Sequence, residues 1–411
     1  MAVPASLRPP RPHKIPGSRA RTVAVMSAGF CAFLALFAPQ PLLPMLSAEF
    51  RASAAAVSLV ITISTVAVAI VAPLAGMVSD RLGRKRVIVP AAFLLAVPTA
   101  LAATSHSLGQ LLFWRFWQGV FTPGIFAVTI AYVNEEWETG AGAAVAAYVT
   151  GTVLGGFSGR VLAGIVAAHF SWRWSFIVLG VLNALGGVAI WKGLPPGRHF
   201  VRTRHESALR PSLRHLRNPR LLATYAVGFC VMFTLLATFT YINFYLAAPP
   251  FGLNAQALAL LFTVYLVGAV ITPFAGRTID RLGHRVALVI AFTGGVLGVS
   301  LTLVHSLPVV MLGLAICCTG VFIANSAGSS YVGVVAREAR AAAVGLYVTF
   351  YYAGGSFGSA VTGRFWIRGG WPACVALIAA VQVLTITMAL LFWRPAPGQI
   401  SVNPSGVVAV D

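Results

Sequence analysis

The sequence predicts an all-α polytopic membrane protein with twelve transmembrane helices in two pseudo-symmetric six-helix bundles. Three observations carry that reading. Charged residues are 9% of the 411 positions and hydrophobic residues 58%, whereas a soluble chain carries charge at about a quarter of its positions. Apolar stretches of about 20 residues, the length that crosses a bilayer as helix, recur from end to end. They are continuously apolar rather than alternating, which argues against a β-barrel. Finally, the turn Gly76-Met77-Val78-Ser79-Asp80-Arg81-Leu82-Gly83-Arg84-Lys85-Arg86 is echoed by Gly276-Arg277-Thr278-Ile279-Asp280-Arg281-Leu282-Gly283-His284-Arg285. Each copy follows an apolar run containing a proline, Pro73 or Pro273, and precedes another apolar run. A charged, glycine-containing hairpin loop that appears twice marks a chain made of two copies of one unit.

The first 22 residues are rich in proline and arginine and show no cleavage site, so a disordered cytoplasmic tail is expected before a retained first span. Spans are expected at 23–46, 54–76, 87–104, 111–132, 142–167, 174–191, 221–246, 256–276, 286–304, 309–333, 342–366 and 373–393. The polar stretch 192–220, with eight basic residues and Pro195-Pro196, reads as a cytoplasmic linker between an N-terminal bundle (23–191) and a C-terminal bundle (221–393). A second cytoplasmic tail is expected at 394–411. Of the 29 Lys and Arg, 23 fall on one side when loops are assigned alternately, which places both termini in the cytoplasm. The net charge of +20 thus points to anionic headgroups of the lipid bilayer and not to nucleic acid. Cys31, Cys230, Cys317, Cys318 and Cys374 all lie in apolar spans without metal-ligand partners and read as small apolar fillers.

The repeat extends well past the loop. Gly29-Phe30-Cys31 returns as Gly228-Phe229-Cys230, and His106-Ser107-Leu108 as His305-Ser306-Leu307. Tyr148-Val149-Thr150, Gly155-Gly156, Gly159 and Gly164 return as Tyr347-Val348-Thr349, Gly354-Gly355, Gly358 and Gly363. Trp172 pairs with Trp371; with Trp114, Trp117 and Trp174 they are expected to anchor the outer interface. Corresponding spans in the same order make a parallel repeat about an axis along the membrane normal. With these residues in hand the chain resembles the major facilitator superfamily of secondary transporters. Residues 76–86 match that family's loop motif, Gly-x-x-(Ala/Ser)-Asp-Arg-x-Gly-Arg-(Arg/Lys)-(Arg/Lys), throughout. Arg115-Phe116-Trp117-Gln118-Gly119, Pro41-Leu42-Leu43-Pro44 and Trp172-Arg173-Trp174 resemble signatures of its efflux branch, which includes drug and sugar exporters.

The resemblance implies that Gly76, Asp80, Arg81, Gly83 and Arg84, with Gly276, Asp280, Arg281 and Gly283 in the second copy, form latches that hold the halves in one state. The plainer reading is a basic loop that sets topology. His284 and Arg285 stand where the first copy has Arg84 and Lys85, so the second latch is expected to be weaker. Arg115 lies within a span, where an unpartnered arginine costs at least ~2.5–3.5 kcal/mol, so it should face a cavity or a polar partner; snorkelling to the interface is the alternative. Gln118 shares its face. Arg160 is a second buried cation, at a position where the resembled antiporter motif has proline. Neither cation recurs in the second half, where Ile316 and Ser359 stand, and a one-sided positive charge in a central cavity favours anionic or polyhydroxylated substrates. Gln40, Tyr241, Asn243, Tyr265, Asn325 and Tyr351 complete the candidate substrate or proton path, each of them also readable as a packing residue. None of the nine acidic residues falls mid-span, which departs from exporters of cationic drugs.

No phosphate-binding Gly-x-x-x-x-Gly-Lys-(Ser/Thr), nucleophile elbow or zinc-ligand cluster is present, so no cofactor, metal or catalytic residue is expected and the chain does not read as an enzyme. The expected function is secondary active export of a small molecule (drug, sugar or metabolite) by alternating access, with proton antiport, at the bacterial inner (plasma) membrane, as a monomer. An uncoupled facilitator or uptake permease is the alternative. A non-transporting sensor would normally carry an added soluble domain.

Overall fold

The computed structural model describes residues 18–137, 140–195, 214–336 and 338–393. Residues 1–17, most of the expected linker (196–213) and the tail 394–411 lie outside the described residues. Among the described residues no strand occurs, and the protein is a bundle of membrane-length helices. Helix α1 (Ser18–Leu34) starts ahead of the expected span, so 18–22 are helix rather than tail. Arg21 secures that first turn by donating to the Glu136 carbonyl (3.0 Å) and lying over the Trp137 ring. The remainder of the first span is interrupted. The chain turns through 35–39, forms a 3-10 turn at Gln40–Leu42, and resumes as α2 (Leu43–Glu49). Pro39, Pro41 and Pro44 lack the amide hydrogens that a continuous helix requires.

The first half continues as α3 (Ala54–Leu82), α4 (Arg84–Leu101), α5 (Leu108–Glu136), α6 (Ala141–His169) and α7 (Trp172–Gly193). The second half holds α8 (Pro219–Ala247), α9 (Ala255–Leu260), α10 (Val264–Leu282), α11 (His284–Leu301), α12 (Leu307–Val335) and α13 (Arg340–Phe392). α13 breaks at Gly369-Gly370, with Gly370 at φ 59°, into two arms that are the last two expected spans. Nine helices among the described residues are long and apolar enough to cross a bilayer. α13 accounts for two spans, and the two spans outside that set are the interrupted ones, α1–α2 and α9–α10, so each expected span has its helix. Ser53, Ser107, Asn218 and Asn254 cap α3, α5, α8 and α9 by accepting amide hydrogens of the first turn.

Gly83 (φ 94°) and Gly283 (φ 81°) join α3 to α4 and α10 to α11, which makes the two charged loops tight, left-handed turns suited to glycine. These turns define one end of the bundle, the motif end; the turns near Arg51, Phe170, Phe251 and Gly370 define the far end. Within each half the repeated glycines let one helix ride on another's backbone. Gly151, Gly155 and Gly159 of α6 meet the Met26, Phe30 and Leu34 carbonyls of α1, and Gly354 and Gly358 of α13 meet those of Phe229 and Phe233 on α8. The five cysteines are buried in this packing. Two expected interface anchors are buried instead. Trp172 packs edge-on to Phe176, and Trp371 stacks on Tyr245 and donates to Thr302 Oγ1 (3.0 Å), because each caps its own half at the far end. Trp117 and Trp174 are exposed, as an anchor should be.

The halves meet along two related seams, α3 against the first arm of α13 and α6 against α9. Gly164 and Gly363, equivalent in the repeat, mark the closest approaches. A methyl carbon at Gly164 would overlap Ala259, and one at Gly363 would lie 2.7 Å from both Ala55 Cβ and Tyr241 Oη. Hydroxyls bridge the halves here: Thr62 to Ser359 (2.7 Å) and Ser356 to Thr65 (2.8 Å) across the α3–α13 seam, and Tyr241 of α8 to Ser58 (3.0 Å), while Tyr241 also donates to the Ser359 carbonyl (2.9 Å) within its own half. All lie in the far-end portion of their helices. At the motif end, methyl carbons added to Gly76, Gly276 or Gly345 would meet nothing within 4 Å. The bundle is shut at the far end and loosely joined at the motif end.

Candidate transport site

The interrupted first span brings the two buried arginines into one construction. Stopping α1 at Leu34 leaves backbone carbonyls without helical partners inside an apolar bundle, a costly arrangement unless donors reach them. Arg115, fully buried on α5, supplies the donors. Its Nη1 bonds the Ala35 carbonyl (2.9 Å) and Gln118 Oε1, Nη2 bonds the Leu36 carbonyl, and Nε bonds the Val60 carbonyl (3.0 Å). Gln118 Nε2 in turn donates to the Pro98 carbonyl (3.2 Å). Arg115 and Gln118 therefore sit inside the first half, against a polar backbone, and not on a cavity wall or at an interface.

The stretch that Arg115 holds leads directly to Phe37 and Gln40, which contact Arg160 of α6. Arg160 Nε donates to Gln40 Oε1 (2.7 Å) and Nη1 to the Gly156 carbonyl (2.7 Å). Its guanidinium carbon lies 5.1 Å from the Phe37 ring centre and 4.8 Å from those of Phe262 and Tyr265. Phe262 and Tyr265 belong to the second half, so this cationic cage spans the seam between halves. The residue is 4% exposed, and its described contacts include no carboxylate. Gln40 Nε2 and the Tyr265 hydroxyl are buried beside it without hydrogen-bond partners.

The other expected path residues scatter around the same seam. Tyr241 is committed to Ser58 and Ser359 in the far-end closure. Asn243 donates to the Phe239 carbonyl one turn back (2.6 Å), leaving its Oδ1 buried and unpartnered. Asn325 accepts from Tyr347 (3.2 Å), whose ring stacks near Tyr351; both Asn325 and Tyr351 are partly accessible. Tyr352, next in line, lies 5.7 Å from Phe126 of the first half, ring to ring. Gln40, Arg160 and Tyr265 are thus one cluster, Asn325 and Tyr351 a second, and Arg115 with Gln118 a separate brace.

At the motif end, Arg84 begins α4, where a cation opposes the helix dipole. Three acceptors compensate it: it pairs with Asp80, donates to Ser79 Oγ (2.5 Å), and grips both oxygens of Glu135 through Nε (3.0 and 3.1 Å). Burial would lower its pKa, but Glu135 and then Asp80 outweigh that and raise it. Lys85 donates to the Leu194 carbonyl, so the start of the linker stretch is tied to the same corner. These contacts of the first motif loop lie within one half. Asp280 and Arg281 in the second copy are exposed, and His284 there packs 5.5 Å from the Tyr331 ring. Glu49, the acidic residue nearest the far end, accepts from Arg173 (2.9 Å), which holds its pKa below the ordinary carboxylate range.

Several site residues escaped the sequence reading. Glu135 was legible as an acidic residue at a span's end, but its pairing with Arg84, 51 positions away, was not. Ser58, Thr62, Thr65, Ser356 and Ser359 form hydroxyl stripes at helical spacing in otherwise apolar spans, a signal that could have located the seam. Phe262, a face of the Arg160 cage, carried no such mark.

The protein is thus a membrane bundle of two repeated halves that meet along seams marked by the equivalent glycines Gly164 and Gly363. The family description Major Facilitator Superfamily matches residues 25–271 and again 239–408. The chain is 32% identical to the uncharacterized MFS-type transporter YybF of Bacillus subtilis (strain 168), over 90% of this chain and 93% of that protein. It is 33% identical to the inner membrane transport protein YnfM of Escherichia coli (strain K12), over 89% and 88% of the respective chains. Its fold is shared with the nucleoside transporter NupG (TM-score 0.75, 16% identity, 91% of this chain and 100% of that one). A bacterial homolog of the human lysosomal transporter Spinster, inward-facing and occupied, has it too (TM-score 0.73, 15% identity, 92% and 96%). The chain belongs to the major facilitator superfamily and is a transporter, not an enzyme.

Proposed function

We propose that the protein exports a small molecule across the bacterial inner membrane by alternating access, in exchange for protons. Both termini and the motif end then face the cytoplasm, as the basic loops suggest, and the described arrangement is the one open toward the cytoplasm. The observation that carries this reading is the asymmetry of the seam: crowded at Gly164 and Gly363, empty around Gly76, Gly276 and Gly345. A repeat that can close at either end has two such states, and rocking exchanges them. In the second state the Asp80 and Asp280 loops close against the opposite half as latches. Substrate binds between the halves, with Gln40, Arg160 and Tyr265 on the far-end side and Asn325 and Tyr351 toward the motif end; Tyr241 seals the far end and Asn243 faces the same region. Arg115 and Gln118 act on this path by holding 35–40 in place.

A second reading, an uncoupled carrier, is favoured by one observation. The described carboxylates, Glu49, Asp80, Glu135, Glu136, Asp280 and Glu338, all stand at helix ends or in loops. Everted vesicles energised by respiration separate the two. Under antiport, one solute class among sugars, organic acids, neutral antibiotics and lipophilic cations dissipates the proton gradient, and Asp80→Asn abolishes the response. Equilibration of labelled solute with an undisturbed gradient establishes the uncoupled carrier instead.

A further inference from the structure

We infer that the Arg160 cage is a recognition site for a small organic monoanion, a carboxylate with an aromatic or branched apolar body; the inference rests on the alternating-access reading and specifies its substrate class. The first support is a missing counter-charge. A buried guanidinium is ordinarily matched by a carboxylate, yet the groups on Arg160 are neutral: Gln40 Oε1, the Gly156 carbonyl and three aromatic rings. The second is the kind of group left over. Gln40 Nε2 and the Tyr265 hydroxyl are buried and unpaired immediately around this cation. Arginine has no acceptor, so the Gln40 amide must turn its oxygen to Arg160 and its NH2 away. What the cluster lacks is an acceptor, and an anion supplies one to all three donors.

The body of the ligand follows from the walls. A planar carboxylate suits the fork of a guanidinium, while Phe37 and Phe262 offer ring faces to an apolar remainder. The site is also divided between halves, with Gln40, Arg160 and Phe37 on one and Phe262 and Tyr265 on the other. An anion taken up by Arg160 displaces the cation from those rings, so binding loosens the far-end seam where α6 meets the 261–263 turn and the start of α10. Substrate charge and gate are thereby the same interaction.

The test uses the full-length protein in lipid nanodiscs, with benzoate as probe and benzamide as its neutral counterpart. Benzoate should raise the melting temperature of the parent and benzamide should not. Gln40→Glu places a carboxylate on Arg160; that variant should melt higher than the parent without ligand and bind benzoate at least tenfold more weakly. Arg160→Gln should lose the benzoate response, and Gln40→Glu keeps the test decisive if Arg160→Gln does not fold. Equal responses to benzoate and benzamide, or undiminished benzoate binding by Gln40→Glu, overturn the inference. Vesicles that carry a neutral solute while nanodiscs ignore benzoate would refute the anion site and leave alternating access standing, whereas a protein locked in one state would refute the carrier reading itself.

Discussion

At the scale of single residues, the two buried arginines divide the labour. Arg115 is a brace: its donors are spent on the carbonyls that the interrupted first span exposes. Arg115→Leu should therefore destabilise the protein by about 1–3 kcal/mol for each buried acceptor left unpaired. Arg115→Lys should recover part of that, because an ammonium reaches fewer of the acceptors. Thermal unfolding checks both, and a variant that melts normally yet fails to transport would return Arg115 to the substrate path. His284 makes a pH prediction. Burial holds its pKa below 6.5 against the pull of Asp280. Below about pH 6.5 the unfolded chain thus takes up the proton more readily than the folded one, and stability is lost as pH falls through the folded value. His284→Asn should flatten the melting temperature over that interval; an unchanged slope would show that another group titrates there. The sequence disclosed that Arg115 and Arg160 must have partners. Gln118, three residues on, was legible as one partner of Arg115; most of the others were not, because Gln40, the Ala35, Leu36 and Val60 carbonyls and the rings around Arg160 are brought close only by folding.

At the scale of elements, the closely spaced glycines of α6 serve two purposes. Gly155 and Gly159 seat α6 on α1 inside one half, while Gly164, a turn further on, seats α6 on α9 across the halves. Only the geometry separates a permanent contact from one that must come apart. Gly164→Ala should strain the closed far end by about 1–3 kcal/mol and shift the population about 5- to 150-fold toward the opposite state. Reactivity of a cysteine introduced at Thr62 reads this against a quiet background, as the native thiols are buried. Gly76→Ala should behave oppositely. With no neighbour around it, the helix gains about 0.5–1 kcal/mol, whereas transport slows because the motif end no longer closes tightly. Faster or unaltered transport would remove Gly76 from the gate. The spans themselves were legible from hydropathy; the breaks at 35–39 and 261–263 were less so. Prolines foreshadow the first. The second follows no proline and reflects the packing of α9 against α6.

At the scale of the whole molecule, the proposed alternating access requires one half to move relative to the other with its own interior intact. The Arg84–Glu135 contact belongs to that rigid interior. Glu135→Gln should change stability by about 1 kcal/mol or less, as for other partly exposed pairs, yet depress transport by letting the Asp80 turn drift; normal transport would make the pair ornamental. Oxidising a Thr62→Cys, Ser359→Cys double variant should arrest transport reversibly, since those hydroxyls lie 2.7 Å apart across the seam; undiminished turnover after cross-linking would show that this seam does not open. The proposed rocking motion also has an electrical side. Arg160 is a fixed positive charge whose described contacts include no fixed negative one. When the halves exchange states, the side of the membrane from which water reaches that charge is exchanged as well. The membrane voltage acts on such a step with up to about 2.3 kcal/mol per elementary charge per 100 mV. The empty carrier is then driven by voltage in one direction and opposed in the other, and a bound monoanion renders the same step electrically silent.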